Sequence, residues 1–184
     1  MSTSVSAFLL NRSSDLKSHV CAFHLKSRQA RRKLRVIWNG QTLQHRNEPK
    51  YLGVKLDRAL TFKQHCHDMK KKVSARYNII RKLTGSARGA QPHVLRTSGL
   101  ALSFSAAEYA AYTVWKNSAH AKQVDTALNE TAHIMTGCLR PTPITKVYPI
   151  IGIAPPGIRR DVAAQIEKTK QREDSRHPLH DHQE

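Results

Sequence analysis

The chain has 184 residues, is 39% hydrophobic and carries a formal net charge of +18 at pH 7. That length buries one core or two small ones, while the low apolar share and the self-repulsion predict that a polyanion or a missing partner domain completes the folded state. Cys21, Cys66 and Cys138 are odd in number and widely spaced without a CxxC, which argues against a disulfide framework and for an intracellular setting, cytoplasm or nucleus.

Residues 1–15 are Ser-rich and unpatterned, a disordered lead-in without the basic n-region of a signal peptide. Residues 19–25 form a short strand candidate, and residues 26–33 a basic turn or loop. Leu34-Arg-Val-Ile-Trp38 then reads as a strand ahead of Asn39-Gly40, the dipeptide suited to a hairpin turn in which both central residues need positive φ. Residues 41–44 form the return strand, and residues 50–56 another extended piece.

From Phe62 the apolar residues fall at 62, 66, 69, 73, 77, 80 and 83, a helical spacing sustained for six turns. Thr61 is its candidate N-cap and Gly85 its candidate stop. On a helical wheel Lys63, His67, Lys70, Lys71, Arg81 and Lys82 lie on one flank of that stripe, and Lys72 and Arg76 on the other. A second helix starts at Pro92 and runs to about Trp115. Residues 98–115 are the one membrane candidate, and Glu108 with a small-residue composition favours a buried helix instead. A third helix spans 118–136, with Ala121, Val124, Ala127, Leu128, Ala132 and Met135 inward and Gly137 ending it. Arg140-Pro-Thr-Pro143 and Gly152-Ile-Ala-Pro-Pro-Gly157 are breakers around a short helix over 144–151, and the last helix spans 158–172. The tail from Glu173, with His177, His180 and His182, is expected to be loose.

The fold class expected is α+β, a small antiparallel sheet followed by helices. In segments these are residues 1–15, 16–60 with a hairpin, a helix in 61–90, a helical extension over 91–172 and the tail 173–184.

Two-metal phosphoryl transfer needs converging carboxylates. No adjacent acidic pair precedes Glu173-Asp174, and Asp57 and Asp68 read as surface partners for nearby cations. No P-loop, G-x-S-x-G or H-E-x-x-H occurs. His65-Cys66-His67-Asp68 cannot close on one ion from a helix, because neighbours along it point to different faces. The reading is a core cysteine between two exposed histidines, and no metal site is assigned.

Residues 1–88 hold 20 Lys/Arg against four acids, and residues 89–184 hold 11 against nine. Arg31-Arg32-Lys33 and Lys70-Lys71-Lys72 stand beside the hairpin and along the basic helix, where their charges add. A polynucleotide partner follows.

The order of segments resembles the region after the catalytic centre in reverse transcriptases of non-LTR (LINE-type, jockey-like) retrotransposons. The matching tags are Val20-Cys-Ala-Phe-His-Leu25, Trp38-Asn-Gly40, Tyr51-Leu-Gly-Val54 with Leu56-Asp-Arg58, Lys70-Lys-Lys-Val73 and Leu83-Thr-Gly85. The series continues through Ala127-Leu-Asn-Glu130, Thr136-Gly-Cys-Leu139, Pro141-Thr-Pro143 and Gly152-Ile-Ala-Pro-Pro156 with Arg159-Arg160. The resemblance implies the end of a palm, a thumb and a helical extension. Tyr51, Leu52 and Gly53 would belong to the hairpin that grips the primer end, and the helix from Phe62 would be a thumb helix tracking template–primer. Lys17 aligns with a lysine that protonates the leaving pyrophosphate, although the family's Asn-Pro-x-Lys-Thr is here Ser14-Asp-Leu-Lys-Ser18. The family's Tyr-x-Asp-Asp lies upstream of the matched region. The chain alone is therefore expected to bind RNA, DNA or a hybrid without polymerising, with Mg²⁺ required only by the intact enzyme and with a palm and fingers segment as a possible missing partner.

Two alternatives stand beside this. An independent basic RNA- or DNA-binding module would place aromatics among its cations, and Phe23, Trp38 and Tyr51 are the candidates unless the sheet buries them. A non-functional retroelement remnant would lack a cooperative melting transition.

Overall fold

The computed structural model describes residues 19–85, 89–111, 118–177 and 180. The chain is α+β, with its strands early and its long helices late. It divides into two compact units, one ending at His65 and the other beginning at Cys66. Lys17, the lead-in, Trp115 and His182 lie outside the described residues.

The first unit is built from two-residue strands. β1 (His19–Val20) is followed by a single helical turn, α1 (Ser27–Ala30), inside the stretch expected to be a loop. β2 (Ile37–Trp38) and β3 (Gln41–Thr42) pair antiparallel, Ile37 opposite Thr42 and Trp38 opposite Gln41. Asn39 and Gly40 take φ of 48° and 75° at the turn, as the dipeptide predicts. β4 (Gln44–His45) does not extend that hairpin. It pairs parallel with β1, so one of the three strand pairs departs from the antiparallel expectation. Residues 50–56, expected as one extended piece, fold back on themselves as β5 (Lys50–Tyr51) and β6 (Val54–Lys55). Leu52 and Gly53 take φ of 44° and 85°. A left-handed Leu costs roughly 1–2 kcal/mol, and Gly53 fills the second position without a Cβ to clash. Val20, Cys21, Ala22, Ala30 and Val54 form a small core.

Asp57 closes the segment before the long helix. Its Oδ2 accepts from the Thr61 amide and hydroxyl, both at 2.9 Å, and its Oδ1 accepts from the Phe62 amide at 2.5 Å. Phe62 itself is left-handed, φ 58°, so α2 (Lys63–Leu83) begins after it and Thr61 is not the N-cap. His65, expected on the surface, is 1% exposed, and its Nδ1 accepts from the Lys55 amide at 3.3 Å. That hydrogen bond satisfies one of the two nitrogens of the buried ring.

The second unit is helical. Along α2, Cys66, Met69, Val73 and Ile80 are buried, Tyr77 is half-buried and Leu83 is exposed. Gly85 is not a left-handed cap. The helix instead ends in a tightened turn, where the Thr84 amide and hydroxyl donate to the Arg81 carbonyl at 3.3 and 2.8 Å. The predicted helix from Pro92 is composite: α3 (Pro92–Gly99), a π-helical segment (Leu100–Phe104) and α4 (Ser105–Glu108). It is interrupted at Tyr109 and Ala110, the latter at φ 55°.

α5 (Ala121–Thr136) is the centre of this unit. It packs against α3, the π-helical segment, α6 (Ile144–Ile151) and α7 (Pro156–Glu173). All six positions predicted to point inward are buried. Gly99 allows α3 to approach closely, since a Cβ there would collide with Met135 Sδ. Gly137 and Gly152 end α5 and α6 in the left-handed conformation.

Polar ties fix the helices to one another. Arg96 caps α6, donating to the carbonyls of Ile151 at 2.8 Å and Gly152 at 3.1 Å. The Tyr148 hydroxyl donates to Asn129 Oδ1 at 2.7 Å. Arg159 forms a bidentate pair with Glu108 and lies 5.8 Å from the centre of the Phe104 ring. Arg160, 8% exposed, makes a second bidentate pair with Asp125 at 2.5 and 2.8 Å. The outer side of α7 exposes Ile158, Val162 and Ile166. The start of the tail is not loose: His177 pairs with Glu167 at 3.5 Å and His180 Nδ1 lies 3.1 Å from the Gln171 carbonyl. Among the described residues no helix is long and apolar enough to cross a membrane.

Removing Asp125 strands the Arg160 charge in a site it cannot leave. Asp125→Ala is expected to lower the urea unfolding free energy by about 3 kcal/mol, whereas Lys70→Gln changes it by less than about 0.5 kcal/mol.

Candidate nucleic-acid interface

The 21 residues of α2 fold as a helix because their apolar positions recur at helical spacing, and burying that stripe forces the remaining positions outward. Lys63, His67, Lys70, Lys71, Lys72, Arg81 and Lys82 are all exposed. Of these, Lys70, Lys71, Lys72, Arg81 and Lys82 belong to the second unit, and none has an ion-pair partner among the described residues. Arg76 leaves the set, because its guanidinium donates to the Leu102 carbonyl and is spent on packing. Lys122 and Lys146 are exposed on other helices, without such clustering. The exterior of α2 therefore concentrates exposed cations along one rod, which suits sequence-independent contacts to a phosphate backbone.

In the first unit, Arg31, Arg32 and Lys33 are exposed immediately after α1, and Tyr51, Leu52 and Gly53 are exposed at the β5–β6 turn. Trp38 is 54% and Tyr51 43% exposed, with Phe23 half-buried. The sheet does not bury Trp38 and Tyr51, since pairs of two-residue strands offer no second layer to cover both faces. Leu52 at 73% and Ile37 at 60% stand beside them. Arg35, Arg46 and Lys50 are also exposed in this unit and were not singled out by sequence. Their signal was the charge imbalance itself, which does not single out a residue.

Arg58 organises the interior of these loops. Its Nη2 donates to the Arg32 carbonyl, and its own carbonyl accepts from the His24 amide at 2.9 Å. Burial raises the Cys21 thiol above its ordinary range, an effect that the Arg58 charge opposes. Burial, Arg58 and Lys33 together hold the His45 imidazole below its usual value near 6.5.

In the second unit the electrostatics work for cohesion. Desolvation acts against the Arg160 cation, but its hydrogen bonds and attraction to Asp125 prevail and raise its pKa. Burial and Asp125 keep the Tyr148 phenol protonated well beyond its ordinary range. Arg159 and Arg160, though part of the matched tags, are thus occupied by carboxylates.

Among the described residues the carboxylates do not converge on a shared site. Both Asp57 oxygens are taken by the amides of residues 61 and 62. His65 and Cys66 are buried while His67 is exposed, so the run does not converge. Among the described residues no three His, Cys, Asp or Glu side chains come together to hold a metal ion. No family model, curated protein or solved structure matches the chain.

His45 supplies a pH dependence. Its folded pKa is depressed, so its contribution to stability is complete above about pH 6.5 and is lost as pH falls through the lower folded value. Urea melts followed by tryptophan fluorescence are expected to lose stability over that acid window, and His45→Gln should flatten the slope. An unchanged slope would remove His45 as its source.

Proposed function

We propose that this chain grips the phosphate backbone of RNA, DNA or their hybrid, in the manner of the thumb region of a non-LTR retrotransposon reverse transcriptase. The observation that carries the reading is the exterior of α2, where Lys70, Lys71, Lys72, Arg81 and Lys82 are exposed and unpaired among the described residues. The family assignment rests on the collinear series of sequence tags. It makes Tyr51–Gly53 a primer-end contact and leaves polymerisation to carboxylates outside these 184 residues. Lys17 has no assigned step.

The mechanism is counterion release. Each lysine that meets a phosphate frees condensed cations from the polynucleotide, so affinity falls steeply and linearly in log salt. Backbone contacts specify position and not base identity. A protein of this kind holds a strand while chemistry happens elsewhere.

The exposure of Trp38 and Tyr51 favours a second reading, an independent module that also stacks unpaired bases. Trp38→Ala separates the two. On the module reading it weakens single-strand binding about tenfold with the melting curve unchanged. On the thumb reading single-strand and duplex binding both survive the substitution intact.

Affinity for a DNA duplex measured at about 50 and about 300 mM salt is expected to fall by at least tenfold. Replacing Lys70 and Lys71 by Gln should lower the slope of log K against log salt by about two. An affinity that barely responds to salt rejects the phosphate-contact mechanism.

A further inference from the structure

A groove of about 830 Å³ runs along the second unit. α2 supplies Tyr77 and Arg81 to it, α5 supplies Glu130 and His133, and the loop after Gly137 supplies Leu139 and Arg140. Its volume lies in the range that encloses a nucleotide-sized ligand and is far too small for a duplex. Arg81 and Arg140 give two cations against Glu130, so the groove is net positive without being a simple anion sink. Arg140 and Leu139 are exposed, Leu139 by 78%. His133 is half-buried in the groove wall.

The geometry points to this groove as the seat of an unpaired nucleotide of a polynucleotide strand whose neighbouring duplex lies on the α2 exterior. The inference rests on the phosphate-gripping reading and adds to it a place and a preference for single-stranded nucleic acid. Arg81 and Arg140 meet phosphates. Tyr77, His133 and Leu139 offer flat or apolar surface to a base, and Glu130 accepts from a base N–H such as thymine N3–H. The base face and base-edge donors used here are free only when the base is unstacked and unpaired. A duplex presents its phosphates outward, where lysines on a convex helix reach them, and hides the rest. Arg81 stands on both surfaces, while Arg140 belongs to the groove alone.

Arg140→Gln is the discriminating substitution, because Arg140 is an exposed loop residue outside the α2 cluster. Binding of the full chain to labelled oligothymidylate and to a blunt DNA hairpin is measured across a salt series, with circular dichroism to verify helix content. R140Q is expected to weaken oligothymidylate binding about fivefold at about 0.1 M salt and to lower its salt slope by about 0.7, leaving hairpin affinity unchanged. Arg140→Lys should restore most of the loss. If R140Q leaves oligothymidylate binding untouched, or weakens both probes equally, the groove is not a single-strand site even though the α2 grip stands. If the parent chain fails to bind the hairpin, or Lys70→Gln with Lys71→Gln leaves hairpin binding unaltered, the α2 reading fails instead.

Discussion

A surplus of eighteen positive charges has to be disposed of before this chain can pack. A cation inside a low-dielectric core is tolerable only with a partner held in good geometry. Where the helices meet, that partner is present: Arg160 lies under α5 against Asp125, and Arg159 reaches back to Glu108. Arg96 and Arg76 are neutralised in a weaker sense, by carbonyl dipoles at Ile151, Gly152 and Leu102. The cations that remain are swept to surfaces, and the length of α2 collects several of them on one rod. The fold thus sorts positive charge into a paired set that binds helices together and an exposed set along α2.

The same sorting explains why the two units differ in character. The helical unit holds bidentate ion pairs and a hub helix in contact with four neighbours. The strand unit holds a core of small side chains and exposes Ile37, Trp38, Tyr51 and Leu52 beside its cations. Exposed aromatics in a cationic unit are poorly explained by stability alone.

Much of this was legible in the sequence wherever the information is local. Asn39-Gly40 demands two positive φ values and receives them. The stripe through Cys66, Met69, Val73 and Ile80 is buried because a period of 3.6 leaves it no other face. Gly137 and Gly152 end their helices for the same local reason. What was missed is long-range. Glu108 and Asp125 lie 51 and 35 residues before their arginines, beyond any motif. His65 is buried and its Nδ1 accepts from the Lys55 amide, a tertiary contact that periodicity cannot reveal. Leu52 takes a turn conformation that its side chain disfavours, so residues 50–56 read as a strand. The π-helical stretch at 100–104 packs against α5, and no residue type announces it. Arg81 was legible as a cation, but its place on the rim of a groove with Arg140 required the fold.

The central claim is that the unpaired lysines of α2, and not basicity in general, hold the polynucleotide. Lysine-acylation footprinting read by mass spectrometry, with and without saturating DNA duplex, tests it residue by residue. The account predicts strong protection at Lys70, Lys71, Lys72 and Lys82, with Lys122 and Lys146, equally exposed on other helices, reacting as in the free protein. Protection spread evenly over all these lysines, or absent from α2, would contradict it.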